Sequence, residues 1–439
     1  VEAYLLREPM LAAVWSERSR TAGVWETGIQ SAGLMQIRQN VAQSLDALSV
    51  QVLSLSKELV SPSHRSVGSS SAATSNGRIA YLHRRVRECM LEIDAGGAPG
   101  ILGAEEFAAR TRTDSAEAPI VQFHIAPRDL YALVHHQGEV TARRFRGGVE
   151  RLERLNERWR FCLEREILQS AGQWQPDNLE SSVWKEFGDW LWAGLELPAA
   201  TERIVIVPDG VLANIPWQAI EYGNRRVGDH HQVILAPSLR HHWLARNSTP
   251  TGDELHLFRG QSDSLPLVDA ELARLQAACP DSTVLHSPAD RASWPAEGNH
   301  FAWHYAGHAH LAGENPFYSY LMLPDGPLFA ADFQLRRCRV GLVTLAACRS
   351  GEAVALPGEE ATGFVRAMLE MGARNVLAGR WPVSDLSTAL FMERFYSELL
   401  NRRSLSESLR RAEQQTREVF PSAYHWAAFG LYGAGTLGG

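Results

Sequence analysis

The sequence predicts an α/β protein, a mostly parallel sheet flanked by helices in two lobes, preceded by an N-terminal helical segment. Three observations point there. Beyond residue 118, short runs rich in β-branched residues, such as Ile120–Ile125, Arg203–Val207 and Asn375–Ala378, alternate with longer helical stretches, the pattern of parallel strands joined by crossover helices. Some of these runs are apolar throughout and stop at turn residues, as Ile206-Val-Pro-Asp-Gly210 does; a strand buried on both faces reads this way. Before residue 100 the period is different. Leu34, Ile37, Val41, Leu45, Leu48 and Val52 recur at spacings of three and four, an amphipathic stripe.

Taken in order, residues 1 to about 60 predict helix, and the Ser- and Gly-rich stretch 61–77 predicts a flexible loop or an interrupted helical hairpin. A second helix follows over Arg78–Ile93. Two such helices cannot bury both faces alone, so they are expected to pack on the next domain or on helical material upstream of Val1. Ile120–Ile125 is a strand, and Leu130–His135 with Val140–Phe145 form a hairpin turning at Gln137-Gly138. A charged helix spans Gly148 to Gln169, and a Trp-rich one carries Trp184, Trp190 and Trp192. Strands follow at Arg203–Val207 and from Val233 to Leu235. The last part repeats the alternation: strand Leu255–Phe258, helix Val268–Ala278, then strands Thr283–Leu285, Phe301–Tyr305 and Gly341–Ala346. Helix Gly363–Glu370, strand Asn375–Ala378 and helix Leu386–Leu399 complete it. The expected division is 1–117 helical segment, 118–249 first lobe and 250–439 second lobe.

At 439 residues the chain is long enough for two or three domains. Its 45% hydrophobic and 21% charged content is ordinary for a globular protein. A net charge of −7 gives nucleic-acid binding no support, and Arg143–Arg146 and Arg336–Arg339 read as solvated faces. No run of 18 apolar residues is present to span a membrane, and charge in the first eight residues argues against a signal peptide. Without an initiator Met, Val1 is not expected to be a natural start. The five cysteines are odd in number and scattered, the pattern of reduced thiols in a cytoplasm, and they offer no Cys-x-x-Cys zinc site.

His308 and Cys348 each lie where an apolar strand runs out into small residues, in His300-Phe-Ala-Trp-His-Tyr-Ala-Gly-His308 and in Val340-Gly-Leu-Val-Thr-Leu-Ala-Ala-Cys348-Arg-Ser-Gly351. A thiol and an imidazole at the carboxyl ends of neighbouring parallel strands could meet above the sheet edge and act as nucleophile and base. The plainer alternative is a buried core thiol and a satisfied loop histidine. Cys89, Cys162 and Cys279 fall on helical patterns, while Cys338 sits among arginines that could lower its pKa. A metal site of His304, His308 and His310 is the rival, but the segment reads as a strand entering a turn and holds no acidic residue to serve as a base.

The motifs form an ordered set. His304-Tyr-Ala-Gly-His308 is followed by Ala346-Ala-Cys348-Arg-Ser-Gly351, Gly358-Glu-Glu-Ala-Thr-Gly-Phe-Val-Arg-Ala-Met-Leu, Met371-Gly-Ala-Arg-Asn-Val-Leu-Ala, Arg380-Trp-Pro-Val-Ser-Asp385 and Tyr424-His-Trp-Ala-Ala-Phe429. This set resembles the CHAT domain, a branch of the caspase-like peptidases related to separase. Upstream, Ile206-Val-Pro-Asp-Gly210, Leu212-Ala-Asn-Ile-Pro-Trp217 and Leu235-Ala-Pro-Ser-Leu239 look like that family's non-catalytic first lobe. The resemblance covers about residues 118–435 and implies a caspase-like fold.

By the same resemblance His308 is general base and acid, Cys348 is the nucleophile, and the backbone N–H groups of Cys348 and Ala309 hold the oxyanion. The family commonly has Gly where Ala309 stands, and alanine resists a positive φ. Asp385 could bind a basic substrate side chain or cap the helix starting at Leu386. Glu359 and Glu360 are further pocket candidates, and Trp381 could wall the pocket or belong to the core. The expected protein is a cytoplasmic cysteine endopeptidase that cuts specific proteins through a Cys348–His308 dyad without metal or cofactor. It would be switched by a partner or by an upstream tetratricopeptide sensor, with bacterial defence among the roles the resemblance suggests. It would contact neither nucleic acid nor membrane. The alternative is a catalytically inactive caspase-like signalling scaffold.

Overall fold

The computed structural model describes residues 9–10, 12–13, 16–17, 104–168, 178–198, 201–263, 265–310, 319–348, 358–382 and 384–437; the side chains of 104–106, 168, 178–179, 348 and 358–362 are outside that description. The helices predicted before residue 95, apart from those six positions, and the loop 61–77 therefore lie outside the described residues. The six are helical, and they dock on the first lobe. Ala12 and Ala13 pack with Phe107, Val205 and Trp243. Glu17 accepts hydrogen bonds from the N–H groups of Leu239 (3.0 Å) and Arg240 (2.8 Å), at the start of helix Leu239–Asn247.

The strands, in chain order, are β1 Ile120–Ile125, β2 Leu130–His136, β3 Glu139–Phe145, β4 Arg203–Val207, the short pair β5 Glu221–Tyr222 and β6 Arg225–Arg226, β7 Gln232–Leu235, β8 Leu255–Arg259 and β9 Thr283–His286. They continue with β10 Glu297–His310, β11 Tyr320–Leu323, β12 Gly326–Phe329, β13 Arg337–Cys348, β14 Asn375–Gly379 and β15 Phe429–Gly433. Among the described residues, all but β5 and β6 join one sheet of 13 strands.

In the second half β9, β8, β10, β13 and β14 are all parallel, and in the first half β7, β4 and β1 are. The last strand, β15, joins the halves. It runs antiparallel to β14 and parallel to β7. One apolar core accordingly runs under both, containing Val121, Ile206 and Trp217 from the first half and Leu342, Val376 and Phe395 from the second. Helices cover the sheet, as the alternation of strand and helix predicts.

The hairpin β2–β3 turns through Gln137 and Gly138 at φ 50° and 86°. Two left-handed residues in a two-residue loop match the right-handed twist of the strands, which is why glycine stands there. The structure differs from expectation mainly in strand length. β10 runs for 14 residues and β13 for 12, well beyond the apolar runs Phe301–Tyr305 and Gly341–Ala346. Polar residues such as His300 and Arg339 ended the hydrophobic pattern but are accommodated in the sheet. β15, with two glycines in five residues, carries little strand signal.

Buried histidines give the fold an acid limit. Burial pushes His135 down to about 3 and His242 and His425 to about 4. Their folded values lie below the unfolded value of 6.5, so the stability of the neutral forms is present above that pH and is lost as pH falls through the window. Burial raises the Glu413 carboxyl to about 8, which works in the opposite sense, but three histidines outweigh it between pH 6.5 and 4. At about 1.4 kcal/mol per unit, His242 alone contributes about 3 kcal/mol. The thermal midpoint is expected to fall steeply from pH 6.5 to 4; a flat profile there would contradict this reading.

Candidate active site

β10 and β13 pair in parallel from Glu297↔Arg337 to His308↔Cys348, and the last rung of that ladder is the His–Cys pair itself. In-register residues on adjacent strands have backbones about 4.8 Å apart. Beyond the rung β10 leaves its parallel neighbours and pairs antiparallel with β11, Ala309 opposite Leu321 and His310 opposite Tyr320. The two predicted reactive residues thus sit at the carboxyl edge of two interior parallel strands, the place where open α/β sheets keep their sites.

The backbone of His308 is held from both sides. Its N–H donates to Gln261 O (2.9 Å), in the loop after β8, and its C=O accepts from the hydroxyl of buried Tyr305 (2.6 Å), which also lies 3.0 Å from Met322 O. Gly307 makes this clamp possible: a Cβ there would stand 2.8 Å from Tyr305 Oη and 3.0 Å from Gly260 Cα. His308 is half-buried.

Below the rung lies a buried polar network. His304 and Thr344 are register partners four residues before His308 and Cys348, about 13 Å down the strands. His304 Nε2 lies 2.8 Å from Glu271 Oε1, on helix Val268–Ala278, and its Nδ1 lies 3.2 Å from Tyr396 Oη, on helix Asp385–Leu400. Tyr396 donates to Thr344 Oγ1 at 2.9 Å. All four groups are buried, and they tie β10 to both helices and β13 to helix Asp385–Leu400. Sequence reasoning missed Glu271, Thr344, Tyr396 and the Tyr305 clamp, because these groups come from distant elements and share no spacing pattern.

The sequence pattern of the CHAT domain matches residues 182–434, more than half the chain. The chain belongs to the CHAT-domain family. Curated relatives include tetratricopeptide repeat protein 28 of Mus musculus, 34% identical over 109 residues, and its Homo sapiens counterpart, 32% identical over 109 residues; the match covers 24% of this chain and 4% of either relative. Similar solved structures include the Saccharomyces cerevisiae separase–securin complex, with a TM-score of 0.49, 12% identity, and coverage of 84% of this chain and 34% of that one. The Arg-specific cysteine proteinase gingipain R gives 0.39 and 8%, over 60% of this chain and 69% of that one.

Within this CHAT domain the remaining predicted residues separate into groups. Ala309 is an ordinary strand residue: the non-glycine residues of positive φ among those described are Gln137, Glu196, Asn224 and Arg402. Alanine in place of the family's usual glycine therefore strains nothing. Asp385 opens helix Asp385–Leu400, and its Oδ2 accepts from the N–H of Leu267 (2.9 Å), at the start of helix Val268–Ala278. It caps the neighbouring helix, a partner sequence distance concealed. Trp381 is buried, donates from Nε1 to Tyr424 O (2.9 Å) and meets Trp159 edge-on. The side chains of Cys348, Glu359 and Glu360 lie outside the described residues, as does Cys89.

The other cysteines and the rival metal set also resolve. Cys338, whose neighbouring arginines could lower its pKa, is buried, donates to Pro295 O (3.3 Å) and has its pKa pushed up to about 11 by desolvation, which exceeds the effect of Arg336. Arg336 is half-buried against Phe333 and Pro295 O (3.0 Å), not on a solvated face. His304 is engaged by Glu271 and Tyr396, and His310 stacks on Tyr320 at 4.8 Å, so these histidines form no metal cluster with His308 among the described residues.

Proposed function

We propose that this CHAT domain is a cysteine endopeptidase with Cys348 as nucleophile and His308 as general base and acid. One observation carries the reading: the only potential nucleophile and base that the motifs single out are in-register partners on the terminal rung of β10 and β13. His308 takes the thiol proton, the thiolate adds to the scissile carbonyl carbon, and the imidazolium then protonates the departing amine. Water hydrolyses the resulting thioester, deprotonated by the same imidazole. The oxyanion is received by the backbone N–H groups of Cys348 and Ala309, and no metal or cofactor enters these steps.

In this reading Asp385 holds the loop before helix Val268–Ala278 with Oδ2 and, with Glu360, supplies negative charge for a basic substrate side chain. Trp381 supports the pocket wall from the core. The substrate is a protein, and a partner or an upstream tetratricopeptide sensor switches the enzyme, in keeping with the repeat protein among its relatives. Free thiols at Cys162, Cys279 and Cys338 suit a cytoplasmic setting, with bacterial defence as the biological context. Among the described residues no helix is long and apolar enough to cross a membrane. The inactive-scaffold alternative rested on Ala309, and the relaxed backbone at that residue removes its main support.

The test compares wild type with Cys348→Ala on candidate protein substrates in the presence of the activating partner. Wild type is expected to cleave and the variant to lose at least about a thousandfold in rate. Equal cleavage by both, or none by a fully activated wild type, would sink the proposal.

A further inference from the structure

At the opposite, amino-terminal end of the same strands lies a second cluster, made by Glu254, His256 and His300, whose potential ligand atoms all lie within 4.8 Å of one another. Glu254 immediately precedes β8, His256 is on β8 and His300 is on β10. His256 Nε2 is 3.2 Å and His300 Nδ1 is 3.9 Å from Glu254 Oε2. Tetrahedral zinc with bonds of about 2.1 Å sets its ligand atoms about 3.4 Å apart, so small side-chain rotations would satisfy these three.

The second observation is His300 itself. Its side chain is only 9% exposed, and neither ring nitrogen makes a hydrogen bond of normal distance and angle, the Glu297 backbone acting on the ring only as a weak partner. Buried imidazoles are ordinarily bonded, and one placed beside a carboxylate and a second imidazole belongs to a donor set that suits a metal ion.

The surroundings complete the arrangement. The Glu254 carbonyl accepts from the N–H groups of Phe301 (3.0 Å) and Ala302 (3.2 Å), which fixes its backbone against β10. His256 Nδ1 lies 3.2 Å from His286 Nε2, which orients the ring so that Nε2 faces Glu254 Oε2, the bond an incoming ion would replace. The Glu254 side chain is 54% exposed and gives the ion a way in, while three protein ligands leave a fourth position for water.

We infer that Glu254, His256 and His300 form a site for one divalent transition ion of the zinc class, clamping the amino ends of β8 and β10 at the edge remote from the His308–Cys348 rung. The ion would be structural, and His286 would orient His256 without touching it.

The test uses the full chain carrying Cys348→Ala, which removes that thiol as a competing ligand, stripped of metal by chelator. Titration with Zn²⁺ by calorimetry is expected to show one saturable site, and Co²⁺ should develop the visible absorption of a tetrahedral centre. Adding Zn²⁺ should raise the thermal midpoint. His300→Gln and the surface variant Glu254→Gln should each weaken binding at least about tenfold and abolish that rise. No saturable binding up to about 100 μM Zn²⁺, or unchanged binding in folded His300→Gln and Glu254→Gln, would overturn the site.

Discussion

Glu271→Ala is expected to cost about 3 kcal/mol or more of folding stability, because it removes one partner of a fully buried ionisable pair and leaves the other without compensation. Glu271 and His304 are 3% and 0% exposed in their side chains and 2.8 Å apart, so water cannot replace the lost carboxylate. The loss also frees His304 from the helix Val268–Ala278 and loosens the strand that carries His308. Glu271→Gln keeps an acceptor and should cost much less. Tyr396→Phe, which deletes the hydroxyl joining His304 to Thr344, should fall between them at about 1–3 kcal/mol. Denaturant unfolding of the three variants checks the order, and near-equal stabilities for wild type and Glu271→Ala would refute the network's role.

His308→Ala is expected to leave the fold in place and to lower the cleavage rate by about 10²–10⁴, the usual worth of a positioned general base. The fold should survive because the imidazole is half-buried while the backbone anchors, Gln261 O and Tyr305 Oη, do not involve the side chain. Loss of activity together with an unchanged melting transition separates a chemical role from a structural one. A variant that cleaves at the wild-type rate would remove His308 from the mechanism.

The contrast between the two histidine clusters shows what a sequence discloses. His308 and Cys348 were legible because strand ends concentrate small residues around exposed reactive groups, and because parallel crossover topology brings such ends to one edge. β1, β4 and β14 were legible for a similar reason: local apolar runs with turn residues after them. Glu254, His256 and His300 were not legible, because the site depends on the parallel register that sets Trp303 opposite His256, and register across a crossover leaves no local pattern. The metal rival that spacing did suggest, His304 with His308 and His310, fails on strand geometry: His304 is drawn into the core by Glu271 and His310 turns onto Tyr320.

Asp385 and β15 teach the same lesson. A carboxylate at a helix start is easily recognised as a cap, but the N–H it receives is that of Leu267, 118 residues away, just before helix Val268–Ala278. The strand that joins the two halves of the sheet is a five-residue segment with two glycines, whose place is set by Leu235 and the β14 ladder and not by its own propensity.

The pairing of Cys348 with His308 can be tested without knowing any substrate, by measuring the rate of Cys348 alkylation by iodoacetamide against pH. Peptide mass spectrometry isolates Cys348 from Cys89, Cys162, Cys279 and Cys338. An imidazolium beside the thiol stabilises the thiolate, so wild type is expected to show its inflection well below the ordinary thiol value of about 8.5, and His308→Ala to show it near that value. Superimposable profiles for the two proteins would contradict the dyad.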